Sequence, residues 1–195
     1  MSGIAVNVQD TRLPGLKIIT PERFGDARGF FSESYHRARL AEHGITCEFV
    51  QDNHSISAQV GTVRGLHFQT PPHAQAKLIR CGRGRLFDVA VDIRVGSPTF
   101  GQWDGIELSF ENGRQLFVPK GFLHGFVTLE PDTEIIYKCS DYYAPKCDRA
   151  VRFDDPAIGI DWGVDTSVVV ISDRDAAAPL LADLDNPFVY RGAAG

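Results

Sequence analysis

Between Gln51 and Lys77, a chain of 195 residues concentrates amide, imidazole, guanidinium and ammonium side chains. The run is Gln51-Asp52-Asn53-His54-Ser55, then Arg64-Gly65-Leu66-His67-Phe68-Gln69, then Gln75-Ala76-Lys77. These groups sit in stretches that otherwise read as strands. A half-buried strand alternates apolar and polar residues, so polar groups on the buried-looking face need an explanation. Taken singly, each has an ordinary one: His67 as a hydrogen-bonded core histidine, Arg64 and Lys77 as snorkelling surface groups. Taken together they point to a site, because several charged groups in one pocket cost stability and need a compensating role.

The chemistry these residue types suit is proton transfer. Histidine titrates nearest neutrality, so His67 can serve as a base. With a carboxylate to orient it, a phenol such as Tyr137 as acid and Lys77 as a fixed cation, the set suits proton removal beside a carbonyl and stabilisation of the enolate. Spacing alone leaves open whether these groups converge. A metal site is the competing reading. His67 and Gln69 on one strand face, with His124 after Pro119-Lys120-Gly121-Phe122-Leu123, look like a cupin arrangement in which Gln69 stands where metal-binding members carry a second histidine. His73 could add a nitrogen, but it follows Pro71-Pro72 in a turn and no glutamate stands nearby. No metal and no cofactor are expected. The chain has no G-x-S-x-G, G-x-x-x-x-G-K, H-E-x-x-H or G-x-G-x-x-G motif, which disfavours hydrolase, nucleotide triphosphatase and dinucleotide chemistry.

The elements that must position these groups are mostly strands. From Thr46, for about a hundred residues, turn signals recur at short intervals: Gly61, Pro71-Pro72, Gly82, Gly84, Gly96-Ser97-Pro98, Asn112-Gly113, Pro119-Lys120-Gly121 and Pro131-Asp132. In Leu86 to Ile93, Phe87, Val89, Val91 and Ile93 share one face and Asp88, Ala90 and Asp92 the other. Ile135, Tyr137 and Cys139 likewise share a face. Many short antiparallel strands predict an all-β jelly roll, a cupin-like sandwich, with a few short peripheral helices. One helix is expected from His36 to His43, closed by Gly44, and another from Ala176 to Leu184 with acidic residues at its start. Residues 1 to 20 read as an arm for sheet or dimer pairing.

At 43% hydrophobic and 23% charged residues the composition suits one soluble domain over residues 1–195. A net charge of -5 argues against nucleic-acid binding, while leaving room for an anionic ligand at a locally basic site. No apolar run reaches the roughly 20 residues of a membrane span and the start lacks a secretory pattern, so no membrane partner and a cytoplasmic location are expected. Cys47, Cys81, Cys139 and Cys147 contain no C-x-x-C and read as reduced thiols.

Assembled, these residues are similar to the dTDP-4-dehydrorhamnose 3,5-epimerase family from about Pro21 to Leu184. The resemblance is carried by Gly25-Asp26, Arg28-Gly29-Phe30-Phe31, Glu33-Ser34-Tyr35, FVQDNHS from Phe49, RGLHFQ from Arg64, AQAK from Ala74, DVAVDIR from Asp88 and GSPTFG from Gly96. QLFVP from Gln115, the segment from Gly121 to Val127, Tyr137-Lys138 and AAAPLLAD from Ala176 complete it. It implies a cofactor-independent jelly-roll homodimer that inverts C3 and C5 of a dTDP-linked 4-keto-6-deoxy sugar. On the family pattern His67 is the base, Asp175 its orienting partner, Tyr137 the acid on the opposite ring face and Lys77 the cation near the enolate oxygen. Arg64, His124, Gln51 and Asn53 are expected around sugar and diphosphate, and Arg28 and Glu33 at the nucleotide, from either subunit. Phe31, Asp52, Tyr142, Asp148 and Arg174 are expected among the other substrate-binding residues. Asp173 is the nearest rival to Asp175. Asp148, Arg174 and Gly163 depart from the commoner glutamate, lysine and proline. Other readings in view are an epimerase of one carbon only, a metal-dependent cupin enzyme and a sugar-nucleotide binder without catalysis.

Overall fold

The computed structural model describes residues 5–192. The first four residues of the predicted arm lie outside them. The arm that follows forms β1 (Val6–Asp10) and β2 (Lys17–Pro21), an antiparallel pair whose second strand lies against β10 (Gln115–Val118). Beyond β2 come the small hairpin β3 (Phe24–Asp26) and β4 (Gly29–Phe31), then α1 (Arg37–Glu42). Helix α1 agrees with the predicted one: His36 caps its start, and the Gly44 N–H bonds the Ala41 carbonyl from a left-handed φ of 81°.

The expected jelly roll is built from β5 (Gln51–Ser57), β6 (Val63–Gln69), β7 (Lys77–Arg83), β8 (Arg85–Asp92), β9 (Trp103–Ser109), β10, β11 (Phe122–Thr128), β12 (Thr133–Cys139) and β13 (Asp148–Ala150). Two sheets face each other, in the orders β1-β2-β10-β7-β12-β5 and β13-β6-β11-β8-β9. From β5 to β13 the chain changes sheet at nearly every turn, so neighbours in sequence supply opposite walls of one interior.

Three apolar clusters hold this arrangement. One fills an end of the space between the sheets, with Ile79, Leu86, Ala90, Leu108, Leu116, Phe126 and Ile135. A second lies on the outer face of the five-stranded sheet, where Val63, Leu66, Phe68, Val89, Val91, Ile93, Leu123 and Val127 meet Val151, Phe153, Ile158 and Trp162 of the C-terminal segment. The third packs Leu40 of α1 and Ile45 against Ile19, Leu78 and Phe117. The alternation read in β8 is present, and its uniformly apolar face is the outer one, while Asp88 and Asp92 point inward and are fully buried. Asp92 is satisfied by Arg94, Ser97 and Thr99.

The helix expected from Ala176 to Leu184 is displaced. Helix α2 spans Asp173–Ala176, starting at the Ser172 cap, and only a 3₁₀ turn follows at Leu181–Asp183. Pro179 accounts for the break, because it disfavours the helical conformation at Ala178 before it. Gly163 has a φ of 67°, which a proline could not adopt. The four cysteines are free thiols, and no helix among the described residues is long and apolar enough to cross a membrane.

Candidate active site

The site begins with an irregularity in β6. In its ladder with β11, His124 pairs with His67 but Phe126 pairs with Arg64, so β6 carries one extra residue between them. Strict alternation would send residues three apart to opposite faces. The bulge returns Arg64 and His67 to the same cavity wall. It also brings two backbones together: a Cβ on Gly65, which has a φ of 138°, would lie 2.5 Å from the Gly125 Cα. Only glycine fits there.

The freed Gly65 N–H donates to Asp175 Oδ2 at 3.3 Å, and the other oxygen, Oδ1, lies 2.7 Å from His67 Nε2. Helix α2 fixes the carboxylate, because the Ser172 hydroxyl accepts from the Asp175 N–H at 3.1 Å. Burial pushes the Asp175 carboxyl up, but the hydrogen bond and charge of His67, the Gly65 N–H and Arg174 together hold it below the usual carboxylate value. Asp173, the alternative partner, is exposed. A second histidine–carboxylate pair stands beside the first. His124 Nε2 lies 2.9 and 3.1 Å from the two oxygens of Asp88, both residues being buried.

The facing sheet supplies Lys77 on β7 and Tyr137 on β12, the ammonium nitrogen lying 6.0 Å from the phenol ring centre. Burial raises the Tyr137 phenol above its ordinary value, Cys139 and Asp148 adding to this and Asn53 and Arg64 opposing it. Burial lowers the Lys77 ammonium, opposed by Cys139, Asp148 and Asp88. Tyr137 is thus held as a proton donor at neutral pH.

Between the two walls lies a cavity of about 530 Å³, lined by Arg64, His67, Lys77, His124, Tyr137 and Asp175, with Val170 to Ser172 and Arg174 at one side. An adjoining cavity of about 200 Å³ shares His67, Lys77, Tyr137 and Arg174 and adds Gln51, Asn53, Tyr143 and Asp148. At their junction Asp148 Oδ2 accepts from Arg174 at 2.7 Å and from the Tyr143 hydroxyl at 3.1 Å. The chain is acidic overall, yet Arg64, Lys77 and Arg174 bring three cations to this interior beside carboxylates that are each engaged by a histidine or an arginine, which suits an anionic ligand.

Ten of the expected site residues therefore converge on two joined cavities. Five are elsewhere. Asp52 faces away from Gln51 and Asn53 by strand alternation and pairs with Lys138 at 2.9 Å. Tyr142 lines neither cavity, and its neighbour Tyr143 takes the place on the wall. Arg28 pairs with Asp26, Glu33 pairs with Arg39, and Phe31 is 63% exposed, all in or beside the β3–β4 hairpin. The residues missed from sequence are Asp88, whose signal was a carboxylate within an apolar strand, and Ser172 and Tyr143, which had none beyond their neighbourhood. Gln69, at the cupin ligand position, is 4% exposed and uses both ends of its amide on backbone groups. His73 faces Asp141 at 3.3 Å instead of the cavity.

The chain is similar to proteins of one known family. A model of the dTDP-4-dehydrorhamnose 3,5-epimerase family matches residues 10–183. The dTDP-4-dehydrorhamnose 3,5-epimerase of Sinorhizobium fredii is 52% identical over 93% of this chain and 93% of its own length. That of Salmonella typhimurium is 52% identical over 88% and 93% respectively. The crystal structure of a dTDP-6-deoxy-D-glucose-3,5-epimerase from Legionella pneumophila Philadelphia 1, in complex with dTDP-4-keto-L-rhamnose, superposes with a TM-score of 0.91 at 48% identity, covering 95% of this chain and all of that one.

Proposed function

This chain belongs to the dTDP-4-dehydrorhamnose 3,5-epimerase family, and on that premise we propose how its own residues carry the reaction. It is an isomerase that converts dTDP-4-dehydro-6-deoxy-D-glucose to dTDP-4-dehydro-L-rhamnose, in the formation of dTDP-L-rhamnose. Both inverted carbons, C3 and C5, flank the C4 ketone, so each C–H proton can leave as the carbonyl becomes an enolate.

His67 takes the proton through the ring nitrogen not bonded to Asp175. Asp175 fixes that tautomer and favours the imidazolium that forms. Lys77 stabilises the negative charge on the enolate oxygen from the facing sheet. Tyr137 then delivers a proton to the opposite face of the ring, completing inversion; the phenolate recovers a proton from solvent and the His67 imidazolium releases one to it, which resets the pair for the second carbon. The observation that carries this reading is that base and acid come from opposite sheets across one cavity. A ring held between them presents one face to each. Arg64 and His124 bind around the sugar and diphosphate, His124 held in orientation by Asp88. Gln51, Asn53, Tyr143, Asp148 and Arg174 bind toward the nucleotide.

Arg28, Phe31 and Glu33 act in a homodimer, reaching the partner's cavity. Support comes from the hairpin that carries or adjoins them, whose strands among the described residues pair only with each other and leave Phe24, Phe30 and Phe31 44%, 46% and 63% exposed. Such an apolar patch fits a subunit interface. Four free thiols fit a reducing compartment, and the cytoplasm is the proposed location.

The test is the product formed from dTDP-4-dehydro-6-deoxy-D-glucose in deuterated water, followed by NMR. Deuterium and inverted configuration are expected at both C3 and C5. Inversion at one carbon only would make this chain a single-carbon epimerase, and incorporation at neither would overturn the reading.

A further inference from the structure

Gln69 has no role in the chemistry above, yet its buried amide is bonded at both ends. Its Nε2 donates to the His73 carbonyl at 2.7 Å and the Tyr142 carbonyl at 3.2 Å, and its Oε1 accepts from the Ala144 N–H at 2.8 Å. The amide orientation is fixed by these partners, since carbonyls only accept and an N–H only donates. Two further glutamines grip the same loop. Gln75 Nε2 donates to the Asp141 carbonyl at 2.8 Å, and Gln51 Oε1 accepts from the Tyr143 N–H at 2.9 Å. Four consecutive residues, 141 to 144, thus have backbone groups held by three glutamine side chains, between β12 and β13 where no sheet partner can hold them.

We propose that Gln69 is a positioning residue that fixes the loop after β12, and through it the Tyr143 ring, at the nucleotide end of the site. This rests on the assignment of Tyr143 to nucleotide binding. The residue type follows from the geometry. One planar group must donate twice and accept once from the end of β6. Glutamate of the same length cannot donate and would set an anion against two carbonyls, asparagine is one methylene short, and histidine cannot supply the same donor and acceptor set. Because Gln69 lies two residues beyond His67 on β6, one strand carries both the base and the anchor of the nucleotide end. That fixes the distance between them. Its effect belongs to binding rather than to proton removal.

The experiment compares dTDP binding by calorimetry in wild type, Gln69→Glu, Tyr143→Ala and the double variant. Deuterium exchange at C3 and C5 is followed at saturating substrate in the same proteins. Gln69→Glu is expected to weaken dTDP about tenfold or more, equivalent to about 1.4 kcal/mol, while exchange at saturation stays within about threefold of wild type. In the Tyr143→Ala background the same change should weaken binding less than about twofold, because residues acting through one contact are not additive. Full additivity, or lost exchange with dTDP binding intact, would overturn the proposal. Unaltered dTDP affinity in Tyr143→Ala would instead overturn the nucleotide assignment on which it rests. Should Gln69→Glu fail to fold, Gln75→Leu removes one bond to the same loop. A two- to fivefold weakening that vanishes with Tyr143→Ala supports the clamp, and no weakening sinks it.

Discussion

Two histidines stand side by side in one cavity, each with an aspartate, and their surroundings separate their work. His124 and Asp88 both sit within strands of the five-stranded sheet, with side chains 8% and 0% exposed. His67 is 30% exposed, and its carboxylate comes from a four-residue helix outside the sheet. A proton-transfer base has to reach its substrate and alternate between protonation states, which an accessible ring can do. A buried pair instead supplies a fixed donor whose orientation does not change during turnover. The same residue types thus yield a base in one position and a fixed hydrogen-bonding group in the other.

The comparison breaks most sharply with His67→Ala. Exchange of both ring protons with deuterated water should disappear, since no other group among the lining residues is placed to take them, whereas His124→Ala should keep measurable exchange with weaker substrate binding. Equal loss in the two variants would erase the distinction drawn between them.

Next in size is Tyr137→Phe, which keeps the ring and its packing but removes the donor. A positioned acid contributes about 10²- to 10⁴-fold, and epimer formation should fall by that order. Deuterium wash-in with retained configuration should survive better, because His67 can return a proton to the face it came from. NMR of product configuration beside deuterium content decides this, and equal loss of both would deny Tyr137 a selective acid role.

The carboxylates should separate along another axis. Asp175→Asn is expected to slow proton removal by about 10²-fold, the lower end of general-base effects, with little change in thermal midpoint. Asp88→Ala leaves a buried imidazole N–H without its acceptor and should cost about 1–3 kcal/mol of stability. Calorimetric unfolding and exchange rates on the same samples would show whether the two pairs divide in this way. A stability loss confined to Asp175→Asn would reverse the assignment.

The smallest expected effect is a shift in pH dependence. Burial lowers the Lys77 ammonium and raises the Tyr137 phenol, so loss of the Lys77 proton moves toward neutral pH and loss of the Tyr137 proton moves away from it. The alkaline fall in turnover should begin below the ordinary lysine value of about 10.4. In Lys77→Arg, whose cation does not titrate in this range, that fall should move to higher pH at reduced rate. An unmoved alkaline limb would assign it to another group.

Much of this was legible in the primary structure. The period of two in β8, the glycine cap of α1 and the regular turn signals are local, and they appear where the pattern puts them. The site residues His67, Tyr137 and Lys77 stood out as polar groups in strand-like runs. What could not be read depends on contacts distant in sequence. The bulge at Gly65 exists because Gly125, on another strand, leaves room for it, and without it Arg64 and His67 would be expected on opposite faces. Tyr142 and Tyr143 are indistinguishable until Gln51 and Gln69 fix the loop. Asp52 follows from alternation alone, which puts it on the strand face away from Gln51 and Asn53.

The outer faces of β6, β8 and β11 are apolar, whereas their inner faces mix the polar groups of the site with Leu86, Ala90, Phe122 and Phe126, and this separates two kinds of selection. The outer face and the C-terminal segment covering it form one large buried cluster, whereas ligand recognition depends on inward polar side chains that contribute little to it. Accessible polar side chains on the cavity wall can therefore change without eroding that cluster, so the jelly roll can explore new sugars there, while buried inward residues such as Asp88 and Leu86 stay constrained.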